Sequence, residues 1–532
     1  MNRANLTENP YSSTRQVILG QRGAVATSQP LATLAGMEML WAGGNAVDAA
    51  IAMAIALTVV EPTSNGIGSD AFALVWDGKL HGLNGSGKSC QNLTAEYFSG
   101  VDKIPTYGWL PVTVPGAVSA WRTVWERWGR LPFEQLFAPA IRYAEEGFPV
   151  SPVTSLAWKR AEATYLSQIG LEFQAFKAVF FKNNRAPSAG EIWASPTHAA
   201  TLREIATTGG ESFYRGRLAK EMANFAAETG GFLTLADLAV HQADWVTPIS
   251  TDYRGVSVWE MPPNTQGLAT LIALNILEGF DLGKYPRESA DSYHQQIEAM
   301  KLAFADVHRY TADPRFMEMP VERLLDKTYA AQRRQLIGET AIPLAEPGLP
   351  KGGTVYLAAA DGELMVSFIQ SNFTGFGSGV LIPSTGIALH NRAIGFTLEA
   401  GHPNQYAPAK RPFHTIIPGF LTQDGVPVGP FGVMGGPMQP QGHLQVVVNL
   451  VDYGMNPQAA LDAPRWHFVK DNHVFLEPAA GVQLAKELSE HGHNIQVNPE
   501  AGLFGRGQII LRKNKVLIAA SEPRADGLAL AW

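Results

Sequence analysis

A threonine directly behind two glycines carries the clearest chemical content of this sequence: "KGGTVYLAAADGELMVSFIQSN", starting at Lys351. Thr354 opens a stretch that reads as a buried strand, and threonine favours strands, so a plain structural residue is one reading. The other reading is that the chain is cut before Thr354. A threonine at a chain start carries a hydroxyl and an amine on one residue. The free α-amine pKa is about 7.7–8.0, so part of it is neutral at pH 7 and can take the hydroxyl proton. Gly352-Gly353 then supplies permissive backbone whose carbonyl Thr354 Oγ can attack. A tetrahedral oxyanion needs fixed donors. Gly435-Gly436, in "FGVMGGPMQPQGH", can turn two neighbouring N–H groups to one point, although a simple turn also explains the pair.

The elements that must position these residues follow from pattern. Asp361-Gly362 predicts a two-residue hairpin between "TVYLAAA" and "ELMVSFI", with Thr354 opposite Ile369 and the polar loop "QSNFTGFGSG" beside it. Both strands are apolar on both faces, which implies a layered structure. Residues 340–353, "TAIPLAEPGLPKGG", read as an exposed linker. Residues 31–42 predict a helix stopped by Gly43-Gly44, and "NAVDAAIAMAIALTVVEP" predicts a helix buried all round with Asn45 as N-cap. The glycines of "NGIGSDAFALVWDG" imitate a dinucleotide fingerprint. A helix precedes them, however, and a strand pair turning at Asp77-Gly78 follows, so close backbone approach explains them better. Residues 117–230 are mainly helical in pattern, and Tyr253 to Trp259 reads as a strand. His294 and His308 share a helix but lie too far apart to chelate from one turn. "HGH" at 491–493 follows a helix, whose C-terminal capping accounts for it without a metal.

Composition bounds the function. The chain has 532 residues, 46% hydrophobic and 17% charged, enough for a large core in one α/β unit or two to three domains. Its net charge of −7 and lack of a basic block exclude nucleic acid and anionic membrane partners. One cysteine, Cys90, excludes an internal disulfide framework and lacks any motif context; no G-x-S-x-G elbow is present. The first 23 residues have no apolar signal region, and the run from Ala49 is too short to cross a bilayer, so a soluble cytoplasmic protein is expected.

Taken together, "GGNAVDAAIA", "GIGSDAFALV", "LPFEQLFAPAIRYAEEGF", "PPNTQG", "EAMKLAFAD", "FGSGVLIPSTGIALHN", "KRPFHTIIP" and "VMGGPMQPQGHLQVVVNLVDYGMNPQAALDAPRW" resemble the γ-glutamyltranspeptidase family of N-terminal-nucleophile hydrolases. The resemblance runs from about Gly23 to the C-terminus. It implies an α+β fold, a four-layer αββα sandwich built jointly by two chains cut from one precursor: a large chain, 1–353, and a small chain, 354–532. It also implies cleavage between Gly353 and Thr354, Thr354 as nucleophile, Gly435 and Gly436 as the oxyanion hole, and Asn372 as a substrate contact. No cofactor or metal is implied, and a homo-oligomer is left open.

Several positions depart from the family pattern. Gly395 stands where glutathione-cleaving members carry an acid for the substrate ammonium, and Arg392 replaces a Gln or Glu. His414 and Thr415 replace two carboxylate-binding serines, Gln370 replaces a threonine, and the loop between Phe396 and Lys410 is too short for the usual lid. Lys88 is the nearest counterpart of the large-chain arginine, a solvated lysine being the alternative. Losing an acid and gaining a guanidinium points to a small acidic amide without an α-amino group, such as oxamate. A γ-glutamyltransferase is the alternative substrate reading; an uncleaved binding protein on the same scaffold is the alternative class.

Overall fold

The computed structural model describes residues 14–343 and 353–532. Most of the linker read over 340–353 lies outside those residues, Gly352 included, as does the N-terminal stretch through residue 13.

Two antiparallel sheets of seven strands each form the centre. One holds Thr354, in the order Leu528–Ala531, Gly23–Thr27, Gly353–Asp361, Met365–Phe373, Asp70–Trp76, Leu80–Asn84, Asp244–Val246. The other runs Ile18–Gly20, Val516–Ser521, Arg506–Lys513, Val426–Met434, Gly419–Gln423, Val256–Glu260, Ile249–Tyr253. Each sheet therefore mixes strands from before and after residue 353.

Period-two alternation assigns each face of the central strand. Val355, Leu357 and Ala359 pack with the helix layer of Ala46–Val60. Tyr356, Ala358 and Ala360 meet Phe420, Met434 and Ile510 of the facing sheet. On its outer side that second sheet is covered by helices Gly267–Leu277, Ala290–Tyr310 and Met438–Val451. Helix, sheet, sheet, helix: the expected α+β αββα sandwich is the fold. The apolar strands are buried on both faces because both faces are covered.

Local expectations are met in detail at the helix Ala46–Val60. Asn45 Oδ1 accepts from Val47 N and Asp48 N, Asp48 Oδ2 accepts in turn from Asn45 N, and every residue of the helix is buried. Gly68 permits the backbone approach inferred from the glycine run: a Cβ there would lie 2.3 Å from the Ala388 carbonyl oxygen.

Two expectations need correction. The stretch read as one strand from Tyr253 to Trp259 is a hairpin, Ile249–Tyr253 with Val256–Glu260, turning at Arg254 and Gly255 with φ of +54° and +81°. The hairpin behind Thr354 is also longer than its Asp-Gly signal suggests. Ala360 pairs with Met365, so residues 361–364 make a four-residue connection, and Tyr356 rather than Thr354 faces Ile369. The cause is the Asp361 side chain. Its Oδ1 accepts from Glu363 N at 2.6 Å and Leu364 N at 2.8 Å, and its Oδ2 accepts from Ala46 N at 2.6 Å. One carboxylate closes the turn and also caps the buried helix. We expect Asp361→Ala to cost about 1–2 kcal/mol, read as a lower urea midpoint; an unchanged midpoint would contradict this role.

Candidate active site

Thr354 sits in a β-bulge. Pairing jumps from Gly353–Phe373 to Val355–Gln370, so Ser371 and Asn372 together oppose Thr354. The register shift brings Ser371, not Ile369, to the threonine, and Thr354 Oγ1 donates to Ser371 Oγ at 3.1 Å. The same Ser371 oxygen accepts from Phe373 N at 2.8 Å and from Arg392 Nη2 at 3.1 Å.

Arg392 is fully buried. Its Nη1 donates to Thr415 Oγ1 at 3.0 Å, and its guanidinium stacks on the Phe373 ring at 4.1 Å. Nε has no hydrogen-bond partner among the described residues. Burial pushes its pKa down to about 9, while the charge of Asp70 pulls it back up, so it stays a cation at neutral pH.

Asp70 begins the neighbouring strand. Burial alone would raise its carboxyl, yet His390 and His414 together hold it well below the usual carboxylate range. Oδ2 lies 3.1 Å from His414 Nε2; Oδ1 accepts from Gly87 N at 3.2 Å and lies 3.4 Å from His390 Nε2. His414 Nδ1 accepts from Ile416 N at 3.4 Å, so its proton is on Nε2 and donates to Asp70. Burial first, and Arg392 next, push His414 down to about 3, so it is a neutral donor at neutral pH.

Gly435 and Gly436 join the strand Val426–Met434 to the helix Met438–Val451, with φ of +138° and +64°. Neither N–H donates to any group among the described residues, whereas both carbonyls accept, from Met438 N and Gln439 N. Gln266, in the "PPNTQG" loop, donates through Nε2 to Gly436 O at 2.8 Å and also to Thr415 O. That side chain ties the glycine turn to the Arg392 site.

Thr354 and Gly435 line one cleft of about 430 Å³, with Ser64, Tyr107, Tyr165, Arg160 and Arg506 on its walls. Asn372 lies behind Ser64: its N–H donates to Ser64 O, its Oδ1 accepts from Ser69 Oγ at 2.8 Å, and its Nδ2 has no partner among the described residues. Lys88 is exposed and sits among Arg411, Arg315, Asp244 and Asp313, outside the lining of this cleft. Gln370 points to the helix layer, bonded to Ala54 O, Asn65 Oδ1 and Trp121 Nε1.

Of the residues singled out, Thr354 and Gly435 line the cleft, Gly436 follows in the same turn, and Arg392, Thr415 and His414 form a buried network joined to Thr354 through Ser371, with Asn372 adjoining. Ser371, Asp70, His390, Arg160 and Arg506 escaped the sequence reading. Ser371 had a weak signal as the neighbour of Asn372; Arg160 and Arg506 had none.

Elsewhere, His294, Glu298 and His493 place ligand atoms within 4.8 Å of one another. Both Glu298 oxygens are already engaged, Oε1 by Lys301 Nζ at 2.9 Å and Oε2 by Ile342 N at 2.8 Å. His294 Nε2 also donates to Gly338 O at 2.9 Å. The cluster fastens residues 338–342, the described foot of the linker.

The sequence matches the gamma-glutamyltranspeptidase family over residues 32–532. The chain belongs to that family. A "glutathione hydrolase-like YwrD proenzyme" of Bacillus subtilis is 36% identical, covering 96% of this chain and 99% of its own. An "oxamate amidohydrolase proenzyme" of Klebsiella pneumoniae is 32% identical, covering 96% and 98%. The crystal structure of a cephalosporin acylase from Bacillus halodurans superposes with a TM-score of 0.95 at 54% identity, covering 99% of this chain and 98% of that one. The protein is thus an amidohydrolase of N-terminal-nucleophile type. No helix among the described residues is long and apolar enough to cross a membrane.

Buried histidines make folding pH-dependent. His198 and His241 are pushed down to about 4 by burial, and His414 and His493 to about 3. In the unfolded chain each titrates near 6.5, so below that pH the unfolded state binds more protons and stability falls as pH falls. Asp70, held low, adds a further loss as pH drops through the carboxylate range. We expect His414→Gln to reduce the acid slope of unfolding free energy by about 1.4 kcal/mol per pH unit between about pH 6 and 4. Urea midpoints across that range measure it; an unaltered slope would contradict a neutral, buried His414.

Proposed function

We propose that this protein is a self-processing amidohydrolase that uses Thr354 to hydrolyse a small amide bearing a carboxylate close to the scissile bond, oxamate being the simplest example. In maturation, Thr354 Oγ attacks the Gly353 carbonyl and water hydrolyses the resulting ester. This leaves chains 1–353 and 354–532 and frees the Thr354 amine. The interleaving of both segments in both sheets keeps the pair together after the cut.

In turnover, Thr354 Oγ attacks the substrate amide carbon while its own α-amine accepts the hydroxyl proton. The N–H groups of Gly435 and Gly436 receive the oxyanion. The C–N bond breaks, the amine departs with that proton, and an acyl ester remains on Thr354. Water then attacks the ester, gives its proton to the α-amine, and the acid is released as the hydroxyl re-forms.

One observation carries the substrate assignment: Thr354 Oγ1 and Arg392 Nη2 both lie 3.1 Å from Ser371 Oγ. A cation that near the nucleophile suits a carboxylate only a bond or two from the attacked carbon. Asn372 Nδ2 and Thr415 complete the polar surroundings, and Lys88, at the surface, acts at most on approach. His414 acts indirectly, by fixing Asp70 as a counter-charge to Arg392.

A γ-glutamyl substrate is the second reading, favoured by similarity to the glutathione hydrolase-like proenzyme. Its ammonium would need an acid, and Asp70, the acid whose charge acts on Arg392, has both oxygens engaged by His414, His390 and Gly87. The test offers matured enzyme oxamate and γ-glutamyl-p-nitroanilide in parallel. Oxamate turnover is expected, with Arg392→Met lowering its kcat/KM about a hundredfold. Strong turnover of the anilide and none of oxamate would overturn the assignment.

A further inference from the structure

Arg392 supplies a partner for the acyl half of the proposed substrate and none for the amine half. The cleft beside Thr354 holds two further cations. Arg506 pairs with Met434 across adjacent strands, one residue from Gly435, so it stands next to the proposed oxyanion site. Arg160, on the helix Pro152–Leu166, lines the same cleft.

The two guanidinium groups converge. A Cβ at Gly502 would lie 3.6 Å from Arg506 Nη2 and 3.8 Å from Arg160 Nη1, so both face the space that a side chain at residue 502 would take. Their charges are incompletely met. Arg506 Nε is buried with no hydrogen-bond partner among the described residues, and Nη1 stands 3.9 Å from Glu61 Oε1, beyond hydrogen-bond range. Burial pushes Glu61 up to about 7, and it accepts a 2.5 Å bond from Ser28 Oγ, so it is a weak counter-charge. Arg160 is held at the rim by Glu500 at 3.0 Å, an exposed pair that water screens.

We propose that Arg506 and Arg160 bind a carboxylate on the amine half of the substrate, so that the enzyme prefers amides whose leaving group is an amino acid. The inference rests on the Thr354 reading for its chemistry but not on the identity of the acyl group. With the oxyanion at Gly435 and the acyl carboxylate toward Arg392, the leaving nitrogen departs into the open cleft. There a forked, permanently charged pair suits a carboxylate.

The kinetic test compares N-oxalylglycine with N-oxalylglycinamide on matured enzyme. Wild type is expected to prefer the free carboxylate in kcat/KM, and Arg506→Met to cut that preference about tenfold or more, with Arg506→Lys restoring part of it. Arg160→Met, at an exposed position that leaves the core intact, is expected to reduce it less. No preference in wild type, or a preference that survives both methionine variants, would overturn the subsite.

A second measurement is independent of the acyl group: calorimetric binding of 4-aminobenzoate and of aniline to the matured enzyme. Arginine-dependent binding of 4-aminobenzoate alone supports the subsite. That result, together with failure of both oxalyl amides as substrates, would sink the oxalyl assignment and leave the subsite standing. Equal binding of the two amines would sink the subsite itself.

Discussion

The hydrogen bond from Thr354 to Ser371 is the contact on which the proposed chemistry of this protein depends. It exists because the bulge sets two residues of the second hairpin strand against Thr354 alone. A one-residue slip would turn Ser371 to the opposite face of the sheet and break its bond from Arg392. The register is in turn held by Asp361, whose carboxylate closes the hairpin and caps the helix beneath the sheet. Sheet register, helix position and the placement of Thr354 are thus set by one short stretch of chain.

Around that bond the fold maintains a costly polar centre. Arg392, Asp70, His390 and His414 are all buried, and an isolated buried charge would be prohibitive. The arrangement is tolerable because each charge has partners: two hydroxyls and an aromatic face for Arg392, and two histidines and a backbone N–H for Asp70. Gln266 links this centre to the Gly436 turn, so the Gly435-Gly436 backbone and the Arg392 guanidinium rest on one shared framework. A site built this way exchanges stability for preorganisation, with little reorganisation left to the reaction itself.

Much of this was legible in the sequence because it is local. The buried helix, its Asn45 cap, the doubly apolar strands and the Gly-Gly-Thr junction each announce themselves within a few residues. The family pattern then supplied the layer order. What stayed hidden depends on contacts between distant segments. The hairpin length turned on a carboxylate reaching a helix that begins at residue 46. Asp70 and His414 are 344 positions apart and form one pair. Arg506 and Arg160 lie 346 positions apart and approach the same point beside Gly502, and nothing local to either arginine signals it. Lys88 shows the converse: a charged residue in a plausible motif that the fold turns to solvent within a mixed group of Arg411, Arg315, Asp244 and Asp313.

The central claim is that Thr354 works as a chain terminus, its own amine serving its own hydroxyl. Intact-mass and N-terminal analysis of catalytically active protein tests this most directly. We expect two masses, for residues ending at Gly353 and beginning at Thr354, and a single uncut mass with no turnover for Thr354→Ala. Full activity in protein whose 353–354 peptide bond is unbroken would contradict the account.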